Sequence, residues 1–200
     1  MSTPGPIKSG FSPPSSAPSA QSWGAFFLLV ALAVGTISCG GGDGSVNAER
    51  FNGTWSIHEE RSTDISPWNG LTVQIDATPS QLTLERIWDG NYGVTVNDSM
   101  TIPIDGEQHR VSLQQWPDNR HIGATLASDS SKTVSAEWLD NGRTLRVTTR
   151  LDVRVSQGIT RIRTYSEYRV SPDGGTLTLL ELRSTRPRPL HYTFVPAESS

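Results

Sequence analysis

The chain has 200 residues, a net charge of -3 and 18% charged residues, a balance that excludes both the basic signature of a nucleic-acid-binding surface and an acidic tail. Its one cysteine, Cys39, excludes an intramolecular disulfide, so the fold rests on its core and its hydrogen bonds. About 160 residues follow the first forty, enough for one domain with a buried core.

Residues 1–22 are rich in Pro, Ser and Gly, carry Lys8 as their only charged side chain, and show no periodicity that could build a core. They read as a disordered n-region. Trp23 to Ser38, "WGAFFLLVALAVGTIS", is apolar or small throughout. At about 15 residues it falls short of the roughly 20 that span a bilayer, and that length suits a signal-peptide h-region, so 1–38 reads as a signal peptide. Cys39 comes next, followed by "GGGDGS". A free Cys is commonly a buried small hydrophobe, but these neighbours offer nothing to bury it in. Residues 39–48 read as a flexible Gly-rich tether.

Thr36-Ile37-Ser38-Cys39 resembles the bacterial lipobox, in which small residues lead to a Cys that is diacylated on sulfur and becomes the new N-terminus. The resemblance implies lipidation of Cys39 and a membrane partner through that anchor. Several acyl chains at about 0.8 kcal/mol per buried CH2 make attachment effectively permanent. Gly40 stands where Asp would mark retention in the inner membrane. The implied location is therefore the bacterial cell envelope, at the outer membrane facing the periplasm.

From 49 to 197 the local pattern is strand after strand. "FNGTWSI" (51–57) opens the domain, and "LTVQIDA" (71–77) alternates Leu71, Val73 and Ile75 with Thr72, Gln74 and Asp76, the period of a sheet with one buried face. "QLTLERI", "YGVTVND", "MTIPID", "HRVSLQQW", "KTVSAEWL", "RTLRVTTRLDVRV", "ITRIRTYSEYRV", "GTLTLLELR" and "PLHYTFVP" read the same way. Between them lie Asn69-Gly70, Asp89-Gly90, Asp105-Gly106, Asn141-Gly142 and Asp173-Gly174, dipeptides suited to tight hairpin turns. No segment carries a helical stripe. The expectation is an all-β, antiparallel domain of about 8–10 strands, closed as a barrel or stacked as a sandwich because an open sheet leaves unpaired edges.

Gly53-Thr54-Trp55, at the start of the first strand, resembles the Gly-x-Trp opening of lipocalin-like proteins, and the span 49–197 is similar to the small lipocalin-like domains of bacterial envelope proteins. The resemblance implies a single up-and-down barrel closed at its base by Gly53 and Trp55. It also implies an Arg near the last strands packed on the indole, for which Arg183, Arg186 and Arg188 are the candidates.

Charge is uneven along the chain. From 39 to 142 there are 15 Asp and Glu against 6 Lys and Arg, whereas from 143 to 188 there are 10 Arg against 4 Asp and Glu. In "RTLRVTTRLDVRV" the residues Arg146, Arg150 and Arg154 share one face. That face is either a solvated outer wall whose arginines meet carboxylates on neighbouring strands, or a basic strip for an anionic ligand.

Catalysis has little support. His58-Glu59-Glu60 lacks the second His of a zinc helix; His109, His121 and His191 are scattered; Glu59 with Asp64 is an unremarkable surface pair. No catalytic residue, metal or cofactor is expected, and no nucleic-acid partner. Two function classes remain open. One is a binding barrel for a small apolar or amphipathic ligand, lined by Val94, Val96, Val111, Leu113, Val147 and Leu179. The other is a structural or interaction protein whose interior is filled by its own side chains. A ligand cavity of about 300 Å3 or more separates the first from the second.

Overall fold

The computed structural model describes residues 46–113, 125–126 and 130–198. The expected signal peptide, Cys39 and most of the tether lie outside the described residues, as do His121 and Trp116.

The fold is all-β. Its strands are β1 (Gly53–Ile57), β2 (Gly70–Ala77), β3 (Gln81–Asp89), β4 (Thr95–Pro103), β5 (His109–Ser112), β6 (Thr125–Leu126), β7 (Ser131–Leu139), β8 (Thr144–Val155), β9 (Gly158–Val170), β10 (Leu177–Arg183) and β11 (Leu190–Pro196). Ten of them follow one antiparallel path, β4-β3-β2-β1-β11-β10-β9-β8-β7-β5, and the short β6 pairs with β8. Because β1 pairs with both β2 and β11, the first and last strands join and the sheet curls into a nearly closed up-and-down barrel. Among the described residues, the interval without a backbone ladder, the seam, lies between β4 and β5.

Period-2 alternation decides which side chains go inside. β2 buries Leu71, Val73, Ile75 and Ala77; β4 buries Val96, Asp98, Met100 and Ile102. The expected strands "YGVTVND" and "MTIPID" are therefore one strand, since Asn97-Asp98-Ser99 continues the alternation rather than turning. The turn assignments need a second correction. Gly106, Gly142 and Gly174 hold positive φ, but Gly70 belongs to β2 and Gly90 has φ of -107°. Between β3 and β4 the positive angles fall on Tyr92 and Gly93, at 60° and 73°.

The antiparallel path gives the barrel two distinct ends. At the turn end, a one-turn 3-10 helix, Ala48–Phe51, tucks Phe51 inside. The Phe51 ring lies 5.2 Å from that of Trp138, and the buried Trp55 donates its indole N–H to the Phe51 carbonyl at 3.0 Å. Asn52 fastens this plug to β2, accepting from Ala77 N at 2.6 Å and donating to Ala77 O at 3.2 Å. Gly142 is required here: its φ is +78°, and a Cβ would sit 2.8 Å from Val46 Cα. The other end, the mouth, gathers residues 58–69, 90–94 and 184–189 and the projecting tip of the β8–β9 hairpin. A main apolar core runs through the barrel from Phe51 and Trp55 at the turn end to Trp88 and Tyr192 near the mouth, and a smaller one of Leu113, Leu151, Val153 and Ile162 lies towards the hairpin tip.

Candidate functional site

Within the barrel, inward positions on five strands carry polar or charged side chains: Arg86 on β3, Asp98 on β4, Lys132 on β7, Ser166 on β9 and Glu181 on β10. All but Arg86, which is 13% exposed, are buried. Asp98 receives Arg86 Nη2 at 3.0 Å and the Lys132 ammonium in close contact. Arg86 Nη1 donates to Glu181 at 3.2 Å, Ser166 donates to the same carboxylate oxygen at 3.1 Å, and Arg183 Nε bonds its other oxygen. The Lys132–Asp98 pair reaches from β7 to β4 across the seam. Arg86 links that pair to β10 on another part of the wall. Side-chain charge thus spans the interval that backbone hydrogen bonds leave open.

Burial opposes every charge in this group, and the partners decide the outcome. For Asp98 burial is outweighed by Arg86 and Lys132, which hold its carboxyl below the ordinary value. For Glu181 it is outweighed by Arg183 and Arg86, with the same result. Burial also opposes the Arg86 cation, but Tyr168, Asp98 and Glu181 raise its pKa. Lys132 is different: burial, with repulsion from Arg86, exceeds the help from Asp98 and lowers its pKa. Burial, with Glu181 and Asp98 nearby, pushes the Tyr168 hydroxyl up to about 12, so it stays protonated.

The cluster borders a cavity of about 30 Å3, also lined by Trp88, Leu113, Thr149, Leu151 and Thr164. That is room for one or two waters, an order of magnitude below a small-molecule site. The Trp88 indole N–H and the Tyr168 hydroxyl are buried here with no hydrogen-bond partner of good geometry among the described residues. Trp88 is capped by Trp68, ring centroids 5.9 Å apart.

The expected lining residues divide. Val96, Val147 and Leu179 are buried in the main core, Val111 packs half-buried against it, and Leu113 borders the small cavity. Val94 is not inside: it precedes β4 in the turn at the mouth and is 55% exposed. Arg183 and Arg186 do not reach Trp55. Trp55 lies level with the start of β10, whereas Arg183 ends that strand, six residues or about 20 Å along it. Both arginines border the space between Trp68, Trp88 and Tyr192 at the mouth, and Arg188 is exposed. Gly53 opens β1 with φ of +133°.

Sequence reasoning missed the interior charges. Their parity was visible: Arg86 follows Leu82 and Leu84, Glu181 follows Leu177 and Leu179, and Asp98 lies between Val96 and Met100, each two residues from an inward neighbour. Chemistry argued for the outside, and the alternation was the better guide.

On the outer wall, Arg146 meets carboxylates from both sides, Glu167 at 2.8 Å and Glu137 at 3.5 Å. Arg161 grips Asp152 with two bonds, at 2.9 and 3.1 Å. Arg150, on the same face, has neither arrangement. His109 lies 3.0 Å from Asp105 in a surface turn, and among the described residues no group of three His, Cys, Asp or Glu is placed to hold a metal ion. No protein-family model matches this chain, and no curated protein matches it in sequence.

Proposed function

We propose that this is a lipid-anchored protein of the bacterial cell envelope whose lipocalin-like barrel is filled by its own side chains and acts through its surface, without catalysis. The observation that carries this reading is the interior: a 30 Å3 cavity bounded by three cations and two carboxylates in mutual contact. An apolar ligand entering there would have to separate Lys132 from Asp98 and Arg86 from Glu181, stranding buried charges at a cost of several kcal/mol. Conversion into a transport barrel is thus opposed by the same contacts that close the seam. The sequence around Cys39 supports attachment to a membrane, and Gly40 after the cysteine supports the outer membrane facing the periplasm.

The test is uptake of a neutral apolar dye. Nile red added to the domain from residue 46 onward should give no saturable rise in fluorescence at native pH. A stoichiometric rise, lost when a sterol or quinone competes, would instead support the small-molecule carrier.

A further inference from the structure

Outward side chains of β8 meet their cross-strand neighbours in register, and the register contains one anomaly. Arg146 faces Glu137 on β7 and Glu167 on β9; Asp152 faces Arg161. Between them, Arg150 faces Thr133 on one side and Arg163 on the other. Thr133 in turn faces Arg110 on β5, so one row across four strands reads Arg110, Thr133, Arg150, Arg163. Directly opposed like charges destabilise an antiparallel pair, and the adjoining positions on this wall avoid them by charge pairing.

Neither Arg150 nor Arg163 makes an ion pair among the described residues. Arg163 Nη1 donates only to the neutral Tyr165 hydroxyl, at 3.3 Å. Arg150 is half-buried, and its Nε is sealed from solvent without a hydrogen-bond partner among the described residues. Asp152, the one carboxylate lining the groove among the described residues, already spends both oxygens on Arg161. These residues line an open groove of about 260 Å3, whose remaining wall includes the Ser131 and Thr133 hydroxyls. A concave site offering two guanidinium groups with no carboxylate partner among the described residues, together with hydroxyl donors, is complementary to a compact dianion with several acceptor oxygens.

We infer that this groove binds a phosphate monoester, with Arg150 and Arg163 as its paired ligands. A phosphate monoester carries about -1.5 to -2 charge at neutral pH, which matches two arginines, whereas a single carboxylate or phosphodiester leaves one unmatched. The inference rests on the surface-acting reading, and the two fail separately, because Nile red entry tests the interior and does not involve the groove.

The experiment is a calorimetric titration of the protein with glycerol phosphate, with glycerol as the blank. A parallel flotation assay uses phosphatidylcholine vesicles with and without phosphatidic acid, which presents the same headgroup on a lipid. Arg150→Gln and Arg163→Gln should each weaken binding about tenfold or more, the effect of losing one charged hydrogen-bonding partner. Arg154→Gln, on the same face of β8 but outside the groove, should leave it within about twofold. Arg150→Gln should not lower the melting temperature, since it removes a repulsion, and this separates lost binding from lost folding. Binding to glycerol phosphate makes the ligand soluble. Binding only to phosphatidic acid vesicles, with the same arginine dependence, makes it lipid-borne. Binding in neither arm, or equal loss in Arg154→Gln, overturns the inference.

Discussion

Asp98→Asn removes the carboxylate that Lys132 and Arg86 share. Arg86 retains Glu181 at 3.2 Å, but Lys132, 2% exposed, keeps no anionic partner among the described residues. Breaking a buried pair from one side costs about 3–5 kcal/mol. For a domain of this size that is a fall in melting temperature of about 6–20 °C, at about 2–4 °C per kcal/mol. The lowered pKa of Lys132 gives it an escape, since the ammonium can shed its proton, and the loss should shrink as pH rises. Lys132→Met alone leaves Asp98 held by Arg86 and should cost less. The double variant Asp98→Asn/Lys132→Met removes the stranded cation and should recover at least about half of the single Asp98→Asn loss, giving a coupling of more than about 1 kcal/mol in a urea-unfolding cycle read by tryptophan fluorescence. An Asp98→Asn loss below about 1 kcal/mol, or a double variant that is simply the sum of the two singles, would refute the seam-closing role of this pair.

Acid should weaken the fold through the same cluster. Asp98 and Glu181 have native pKa values below their ordinary ones, so their stabilisation is fully present above about pH 4 and is lost as pH falls through the native values. Urea midpoints should drop steeply below about pH 4, and less steeply in Asp98→Asn/Lys132→Met; parallel pH curves would point to other carboxylates. Trp55→Ala should cost about 3–5 kcal/mol by the same unfolding assay, as for any large buried aromatic, because it opens the plug made with Phe51; a loss under about 1 kcal/mol would mean the turn end closes without it. Cys39→Ala should abolish incorporation of a labelled fatty acid in a bacterial host, and equal label in both proteins would remove the proposed anchor.

The barrel was legible in the sequence because a strand with one buried face writes its period in apolar residues, as in Leu71, Val73 and Ile75. It was legible least where the inner surface is polar. The expected strands "YGVTVND" and "MTIPID" left a break at Ser99, but β4 runs through it, and Asp98 points inward to Lys132 and Arg86, charges that lie 34 and 12 residues away. No local pattern predicts that pairing; it exists only once β3, β4 and β7 curl around one interior. The same limit applied to Arg183 and Arg186, placed on Trp55 by family resemblance and found at the mouth. On the outer wall, sequence showed that Arg146, Arg150 and Arg154 share a face. It could not show which of them register sets opposite Glu and which opposite Arg.

The central claim is that the barrel has no interior vacancy for a ligand, and native mass spectrometry of the domain from residue 46 onward tests it most directly. Incubated with a neutral quinone and with a sterol, the protein should fly at its bare mass, with no melting shift from either compound. A one-to-one adduct that raises the melting temperature, and whose formation is blocked by filling the cavity with Thr149→Leu, would contradict the claim and show that the charged cluster opens to admit a guest.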